Sequence, residues 1–245
     1  MAVVDVDGFG SSSARSVVFL HGAGANRTMW ASYRGGAFRV IAPDLPGHGS
    51  FRHEPFVLQR AVEWVAEVID REAGGRAVVC GLSLGGYVAI ALADRYPERV
   101  EGLVISGASA SYLGWGGFTT RLSGRLMRVV GGRMRSKAEQ SLLRVGDPEI
   151  TGPIVDLGLS MRGAADALIG LPGHDFHAMA QRFVGPVLIL NGERDSVNRK
   201  EEHALLARLA RGRIETIEDA GHSCAVTRPD AFRAAVERFV AASIE

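Results

Sequence analysis

A serine among small residues, between an apolar run and a helical run, is the feature that most constrains this chain. Residues 77–80 are apolar, Gly81-Leu82-Ser83-Leu84-Gly85-Gly86 follows, and residues 87–93 have the composition of a buried helix. Gly-x-Ser-x-Gly between a strand and a helix is typical of a sharp turn that exposes the serine hydroxyl. Glycines are needed because a larger side chain would collide with the turn. We therefore predict that Ser83 is a nucleophile.

Two later strand patterns lead to polar residues that complete a catalytic set with Ser83. Residues 186–190 lead to Asp195, and residues 214–217 lead to His222. In an open parallel sheet, ligand chemistry collects beyond the carboxyl ends of the strands, so we expect the three side chains to meet. The order serine, acid, histidine fits a triad in which the histidine takes the serine proton and the acid orients the imidazole.

Two other acids and six other histidines compete for these roles. Glu193 comes where the strand is only just ending, and Asp219 is so close to His222 in sequence that we expect it to cap a turn or helix. None of the other histidines follows a late strand, and we expect them to be surface or structural residues. Asp195 and His222 therefore remain the predicted acid and base.

A serine that attacks a carbonyl also needs backbone N–H donors for the oxyanion that develops. The N–H of Leu84, directly after the serine, is one candidate. The second is expected in the loop at residues 21–26, which follows an apolar run and is rich in small residues. We assign the second donor to Ala23, with Gly24 as the alternative.

Taken together, these landmarks resemble the α/β-hydrolase fold superfamily. In chain order they are His21-Gly22, Pro43-Asp44-Leu45-Pro46-Gly47-His48-Gly49, the turn at Ser83, Gly192-Glu193-Arg194-Asp195 and Gly221-His222. The resemblance implies an α/β fold, with a mostly parallel central sheet covered by helices and a small helical cap insertion. It implies a hydrolase core at residues 1–109 and 183–245, and a cap at residues 110–182.

The spacing of apolar residues predicts alternating strands and helices in the core, whereas the cap contains only helical patterns. We predict a first strand at residues 3–6, which leaves the sheet trimmed at that edge. In the cap we predict helices over residues 119–130, 136–145 and 154–171, separated by glycine, proline and aspartate. Eight apolar cap residues are candidates either to pack within the cap or to line a substrate pocket: Leu113, Trp115, Phe118, Leu122, Leu126, Met127, Leu143 and Met161.

The cap is locally basic. Arg121, Arg125 and Arg128 share one helical face by their spacing. A solvated face is one interpretation. The other is that one inward arginine holds a substrate carboxylate.

Composition limits the other possibilities. The 245 residues fit one such domain, and a net charge of +1 argues against nucleic-acid binding. No apolar stretch approaches the length of a membrane span, and the start lacks the pattern of a secretory signal.

The cysteines Cys80 and Cys224 make no disulfide framework, so we expect a cytoplasmic protein. No metal-ligand spacing or dinucleotide fingerprint is present, so we expect no cofactor and a small-molecule substrate. The oligomeric state stays open.

The serine nucleophile narrows the chemistry. Family members that open epoxides or displace halide carry an aspartate at this turn. We therefore expect hydrolysis of a small carboxylic ester, thioester or lactone through an acyl-enzyme, and the turn also resembles that of enol-lactonases. A carbon–carbon bond hydrolase or lyase acting on a carboxylate-bearing carbonyl compound is an alternative. The menaquinone-pathway lyases of this fold carry an arginine where Tyr87 stands here. A slow-turnover small-molecule sensor is a further alternative.

Overall fold

A computed structural model describes residues 6–9, 14–33 and 37–242, and their strands form one sheet. The strands are β1 Val6–Phe9, β2 Ser16–Leu20, β3 Arg39–Pro43, β4 Ala77–Leu82, β5 Val100–Ser106, β6 Pro186–Gly192 and β7 Arg211–Ile217. Their order across the sheet is β1-β3-β2-β4-β5-β6-β7. Only the β1–β3 pair is antiparallel among these strands, which confirms the predicted mostly parallel sheet.

The strand order places a reversal of winding between β2 and β4. The chain runs outward from β2 to β3 and then returns to place β4 on the other side of β2. Ligands of open parallel sheets bind beyond the carboxyl ends of the strands at such a reversal. The turn at Ser83, which follows β4, and the loop that follows β2 therefore flank this position.

Helices cover both faces of the sheet. The α-helices are α1 Leu58–Glu72, α2 Leu84–Arg95, α3 Gly114–Val145, α4 Pro148–Leu157, α5 Met161–Gly170, α6 Phe176–Arg182, α7 Ser196–Leu206, α8 Cys224–Thr227 and α9 Pro229–Ala242. Short 3-10 helices span Arg27–Tyr33, Gly49–Phe51 and Pro97–Arg99. On β2, Val18 packs in the cluster with α1 and α2, and Phe19 packs in the cluster with α9. Successive strand residues face opposite sides, so a sheet covered on both faces has nearly continuous apolar strands.

The first described strand overlaps the predicted one at Val6. The structure places it at Val6–Phe9, paired with β3, whereas the prediction was residues 3–6. Residues 3–5 lie outside the described part of the chain.

The cap helices differ from the sequence prediction. Residues 114–145 form the single helix α3, so the predicted break at residues 131–132 is wrong. The reason is packing: a Cβ at Gly124 would lie 2.8 Å from the Leu168 Cβ, and one at Gly131 would lie 3.1 Å from the Met161 Cβ. These glycines permit a close approach of α3 to α5. The predicted helix at 154–171 is two helices separated at Gly158, which has a φ of 94°.

Within residues 6–9, 14–33 and 37–242, no helix is both long enough and apolar enough to cross a lipid bilayer.

Candidate active site

Ser83 occupies the turn between β4 and α2 in a strained backbone conformation. Its φ of 54° and ψ of −115° lie where residues other than glycine are rarely found. The Ser83 N–H donates to the Ser106 carbonyl at 2.7 Å, and the Ser83 carbonyl accepts from the Gly86 N–H at 2.9 Å. Strain of this kind persists only where the surroundings hold it. The sheet and α2 therefore fix the serine at the end of β4.

The glycines of the turn have the role that the sequence predicted for them. A Cβ at Gly81 would overlap the backbone of Gly85, and a Cβ at Gly85 would overlap the carbonyl of Leu20 on β2. A Cβ at Gly86 would lie 2.5 Å from the Ala108 Cβ. Side chains at these positions would separate α2 from the sheet and displace the turn that carries Ser83.

The structure brings Asp195 and His222 together. Asp195 lies just beyond β6 at the start of α7, and His222 follows β7. The His222 Nδ1–H donates to Asp195 Oδ2 at 2.8 Å. This bond fixes the tautomer in which Nε2 is free to accept a proton. The Asp195 side chain is 5% exposed and the His222 side chain 48% exposed, so the acid is enclosed and the imidazole faces an opening.

The Asp195 carboxyl is ionised at neutral pH. Burial by itself raises its pKa, but hydrogen bonds and charge from His222, together with hydrogen bonds from Asn198, outweigh burial and lower the pKa. An ionised carboxylate is the form that stabilises an imidazolium.

The two alternative acids, Glu193 and Asp219, form their hydrogen bonds and ion pairs with groups other than His222. Glu193 Oε2 accepts from the Asp219 backbone N–H at 3.0 Å, and the Asp219 side chain pairs with Arg194. Both acids are on the surface and bond to each other's loop. Neither contacts the imidazole through any hydrogen bond that the structure gives for the described residues.

Ser83 and His222 line the same cavity, whose volume is about 440 Å³. The cavity lies between the loop after β2 and the helices α3, α4 and α5. Gly107, at the end of β5, lies against the imidazole: a Cβ there would be 2.8 Å from His222 Cε1. The predicted nucleophile and base thus line one open cavity, and the predicted acid holds the base through the hydrogen bond to Nδ1.

The predicted oxyanion donors lie beside Ser83. Ala23 and Gly24 line the cavity, and a Cβ at Gly22 would lie 3.7 Å from the Ser83 Cβ. Leu84 begins α2, and N–H groups in the first turn of a helix have no partner within it. The geometry is therefore compatible with either Ala23 or Gly24 as the second donor.

His21 links the loop after β2 to the loop after β3. Its Nδ1–H donates to the Gly22 carbonyl at 2.9 Å, and its Nε2 accepts from the Leu45 N–H at 3.0 Å. Burial lowers the pKa of His21, so the ring is neutral. His21 has the structural role expected for a histidine outside the catalytic set, and it joins the loops after β2 and β3.

The cavity wall is apolar and carries little charge. Its larger side chains are Met29, Leu82, Met127, Leu142, Ile154, Leu159, Met161 and Val226. Among the described residues that line it there is no arginine, lysine, aspartate or glutamate. The polar groups in the wall, besides Ser83 and His222, are the hydroxyls of Ser141, Ser223 and Thr227.

Two of the eight predicted cap residues line this cavity. They are Met127 and Met161. The prediction is wrong for the other six, which are exposed: Leu113, Trp115, Phe118, Leu122, Leu126 and Leu143. The cause is the orientation of α3. Its glycines turn one face toward α5, so the side chains on the opposite face point to solvent.

The cap arginines also turn away from the cavity. Arg121 donates to the carbonyls of Ile169 and Pro172, and Arg128 pairs with Asp166 of α5. Arg125 is exposed. The structure therefore favours a packing and surface role for this face over the binding of a substrate carboxylate.

Asn198 is a residue at the site that the sequence reasoning missed. It is buried, and it donates to both oxygens of Asp195. The available signal was its position three residues after Asp195, where a helix N-cap receives its hydrogen bond.

The buried ring of His48 predicts an acid-sensitive fold. Burial and the neighbouring His21 lower the pKa of His48 to about 3, against 6.5 for an unperturbed histidine. The unfolded chain therefore binds a proton that the folded chain excludes, and the free energy of unfolding falls as the pH drops from about 6.5 toward 3. For this ring the loss is about 2 kcal/mol between pH 7 and pH 5.

Urea unfolding at pH 7 and pH 5 tests this expectation. His48→Asn keeps a donor for the Pro46 carbonyl, which His48 Nδ1 contacts at 3.0 Å, and removes the titration. The variant should lose about 2 kcal/mol less than the wild type on acidification. His53→Gln, on an exposed histidine, is the control and should follow the wild type. Equal pH dependence in wild type and His48→Asn would contradict the assignment.

Across the described residues, no group of three or more histidine, cysteine, aspartate or glutamate side chains is arranged to hold a metal ion.

The sheet order and the positions of Ser83, Asp195 and His222 at strand ends are those of an alpha/beta hydrolase. The sequence profile of the alpha/beta hydrolase family matches residues 17–235, and the chain belongs to this family.

Several individual proteins are similar to this chain over nearly its whole length. A pimeloyl-[acyl-carrier protein] methyl ester esterase from Neisseria meningitidis serogroup C is 29% identical, and the match covers 93% of this chain and 94% of the relative. An esterase from Thermogutta terrifontis, solved with malate bound, superimposes with a TM-score of 0.80 at 25% identity, covering 98% of this chain and 93% of that one. The enol-lactonase from Burkholderia xenovorans LB400 shares the fold, with a TM-score of 0.79 at 22% identity over 98% and 99% of the two chains.

Proposed function

We propose that this chain hydrolyses a small carboxylic ester, thioester or lactone through an acyl-enzyme on Ser83. The observation that carries the proposal is the meeting of a strained serine and an aspartate-held imidazole at one cavity. A serine hydroxyl is a weak nucleophile unless a base accepts its proton, and this pair supplies the base. The relatives named as esterases support the same reaction class.

The proposed reaction uses these groups in order. Ser83 Oγ attacks the substrate carbonyl while His222 Nε2 takes the hydroxyl proton, and Asp195 stabilises the imidazolium. The N–H groups of Ala23 and Leu84 receive the oxyanion. His222 then protonates the leaving alcohol or thiol, and the carbon–oxygen or carbon–sulfur bond breaks. Water, deprotonated by His222, attacks the acyl-enzyme, which releases the acid and restores Ser83.

The cap completes the site in this proposal. We assign residues 110–182 to a cap and residues 1–109 and 183–245 to the core. Within the described chain, residues 110–182 supply five of the eight large apolar side chains of the cavity wall. A wall of this kind excludes water and strengthens the interaction of the oxyanion with its donors.

The apolar wall favours substrates whose acyl group is uncharged. A carboxylate in this cavity would be desolvated without a cationic partner from the described lining residues, which is costly. A wall without a cation among its described residues disfavours the alternative of a carbon–carbon bond hydrolase or lyase that acts on a carboxylate-bearing substrate. The substrate class proposed is therefore a neutral ester with an apolar acyl group.

A pair of matched esters tests this selectivity. We expect kcat/KM for p-nitrophenyl butyrate to exceed that for the p-nitrophenyl monoester of succinate by about tenfold or more, because only the second carries a carboxylate into the cavity. Leu142→Arg, which adds a cation to the wall, should reduce the ratio. Leu126→Arg, on the exposed face of the same helix, should leave it unchanged. A wild-type preference for the succinate ester would contradict the proposed substrate class.

A further inference from the structure

Asn198, in the first turn of α7, is a buried amide that binds the Asp195 carboxylate twice. Its Nδ2–H donates to Asp195 Oδ2 at 2.9 Å, and its backbone N–H donates to Oδ1 at 3.3 Å. The His222 Nδ1–H donates to the same Oδ2, so the nitrogens of Asn198 and His222 lie 3.4 Å apart around one oxygen. The oxygen that holds the imidazole is therefore held in turn by Asn198.

The segment after β5 fixes which way the amide points. Asn198 Oδ1 accepts from the backbone N–H of Ser109 at 2.9 Å and of Ala110 at 3.2 Å. A backbone N–H can only donate, so the amide oxygen must face this segment and the NH₂ group must face Asp195. The Asn198 side chain is buried, so few solvent molecules compete for these bonds. The donor toward Asp195 is thus preorganised.

We propose that Asn198 is a positioning residue, which holds the Asp195 carboxylate in the rotation that receives the His222 Nδ1–H. The inference rests on the proposed ester hydrolysis. Rotation of a carboxylate about χ2 meets only a broad, shallow barrier, so the side chain needs partners to define its plane. Without the amide donor, the carboxylate plane is less restrained, and the imidazole loses its alignment with Ser83. Misplacement of a reacting group by about 1 Å lowers a rate roughly 100-fold.

A second buried amide, Asn191, supplies a matched comparison. Its Oδ1 accepts from the Gly107 N–H at 2.9 Å, and its Nδ2 donates to Ser109 Oγ at 3.2 Å and to Glu202 at 2.9 Å. It supports the same segment after β5, and none of these bonds goes to Asp195 or His222. Loss of Asn191 therefore reports what loss of segment support does by itself.

Three variants separate the two roles of Asn198. Asn198→Ala removes both the donor and the acceptor, whereas Asn198→Asp keeps an oxygen for Ser109 and Ala110 and removes the amide donor. We expect both to lower kcat for p-nitrophenyl butyrate by about 10- to 100-fold, with KM within about twofold of wild type. Asn191→Ala should lower the melting temperature and change kcat by less than about threefold.

The pH dependence of Asn198→Asp adds a readout that a structural role would not move. Two adjacent carboxyls share a proton at low pH, and the shared proton restores a donor toward Asp195. The kcat of the variant relative to wild type should therefore fall as the pH rises from 5 to 8. An added charge that acts on the imidazole only through space favours the protonated imidazole, which cannot accept the Ser83 proton. Because this loss of base is largest at low pH, the ratio of variant to wild-type kcat would then rise as the pH increases.

Other titratable groups around this cluster do not produce that trend. Burial raises the pKa of the Cys224 thiol and of the Tyr87 phenol, so both stay neutral between pH 5 and 8. Among the described residues, other titratable or charged groups near the cluster include His177, which bonds to the Ser109 carbonyl, and the Glu202–Arg199 pair of α7. All of these are present in wild type and variant alike, so the ratio of the two activities cancels them.

The outcomes are distinct. Reduced kcat with preserved KM in both Asn198 variants, together with the falling ratio, supports the positioning role. Wild-type kcat in Asn198→Ala overturns it. An equal loss of kcat and melting temperature in Asn198→Ala and Asn191→Ala, with near-normal activity in Asn198→Asp, also overturns it and leaves segment support as the role. If the wild-type protein hydrolyses no ester, or if its ester hydrolysis persists in Ser83→Ala, the proposed function is wrong. That result is independent of the Asn198 variants.

Discussion

Ser83→Ala is expected to lower kcat/KM for p-nitrophenyl butyrate by at least about 10⁴-fold, while the protein stays folded. The variant removes the only atom that forms the acyl bond in the proposed reaction, and the oxyanion donors and cavity then act on water alone. Steady-state rates, with circular dichroism to establish folding, give the measurement. Alanine is accommodated because the turn is held by backbone bonds to Ser106 and Gly86, which the substitution keeps.

The matched control for this variant is Ser136→Ala, on the exposed side of α3. Its rates should equal those of the wild type, because its hydroxyl lies outside the cavity lining. Retention of wild-type turnover by Ser83→Ala would mean that another group carries the reaction. The acyl-enzyme on Ser83 would then be wrong.

Gly85→Ala is expected to destabilise the fold by roughly 3 kcal/mol or more. The added Cβ would overlap the carbonyl carbon and oxygen of Leu20, which belong to the backbone of β2 and cannot move aside as a flexible side chain does. Relief requires α2 to shift away from β2, and with it the turn that carries Ser83. Thermal or urea unfolding measures the loss, and ester turnover should fall with it.

Gly152→Ala is the control for the glycine substitution. Gly152 lies inside α4, and a Cβ there meets no atom within 4 Å. Alanine favours a helix over glycine by up to about 1 kcal/mol, so this variant should be as stable as the wild type or more stable. Equal stability of Gly85→Ala and wild type would contradict the steric account of the turn.

The core could be predicted from the sequence because its signals are local. A strand, a small-residue turn and a helix around Ser83 allow few other local structures. Asp195 and His222 each follow a segment that is predicted to be a strand from its own residues, without knowledge of the strands beside it. The sheet also places all carboxyl ends of its parallel strands at one edge, so strand ends alone predict proximity. That is why the structure brings together residues that are far apart along the chain.

The cap could not be predicted to the same extent because its decisive contacts are tertiary. The paired glycines at residues 131–132 predict a break, yet Gly131 lies inside α3, where it lets α5 approach. The sequence shows that α3 is amphipathic in parts but not which face meets α5. Trp115 and Phe118 therefore appeared as pocket candidates and are exposed.

The role of Asn198 could not be predicted from the sequence for a different reason. A single asparagine after a helix N-cap has many ordinary roles in a sequence. Its importance depends on three bonding partners, Asp195, Ser109 and Ala110, which the sheet brings together from two parts of the chain. Only the folded chain reveals that arrangement.

Covalent labelling of the protein with a fluorophosphonate, followed by peptide mass spectrometry, tests the central claim most directly. Such a reagent phosphonylates a serine whose hydroxyl an adjacent base activates. The account predicts one adduct, on Ser83, that is absent from Ser83→Ala and forms much more slowly in His222→Ala. An adduct on a different serine, or labelling of Ser83 at an undiminished rate in His222→Ala, would contradict it.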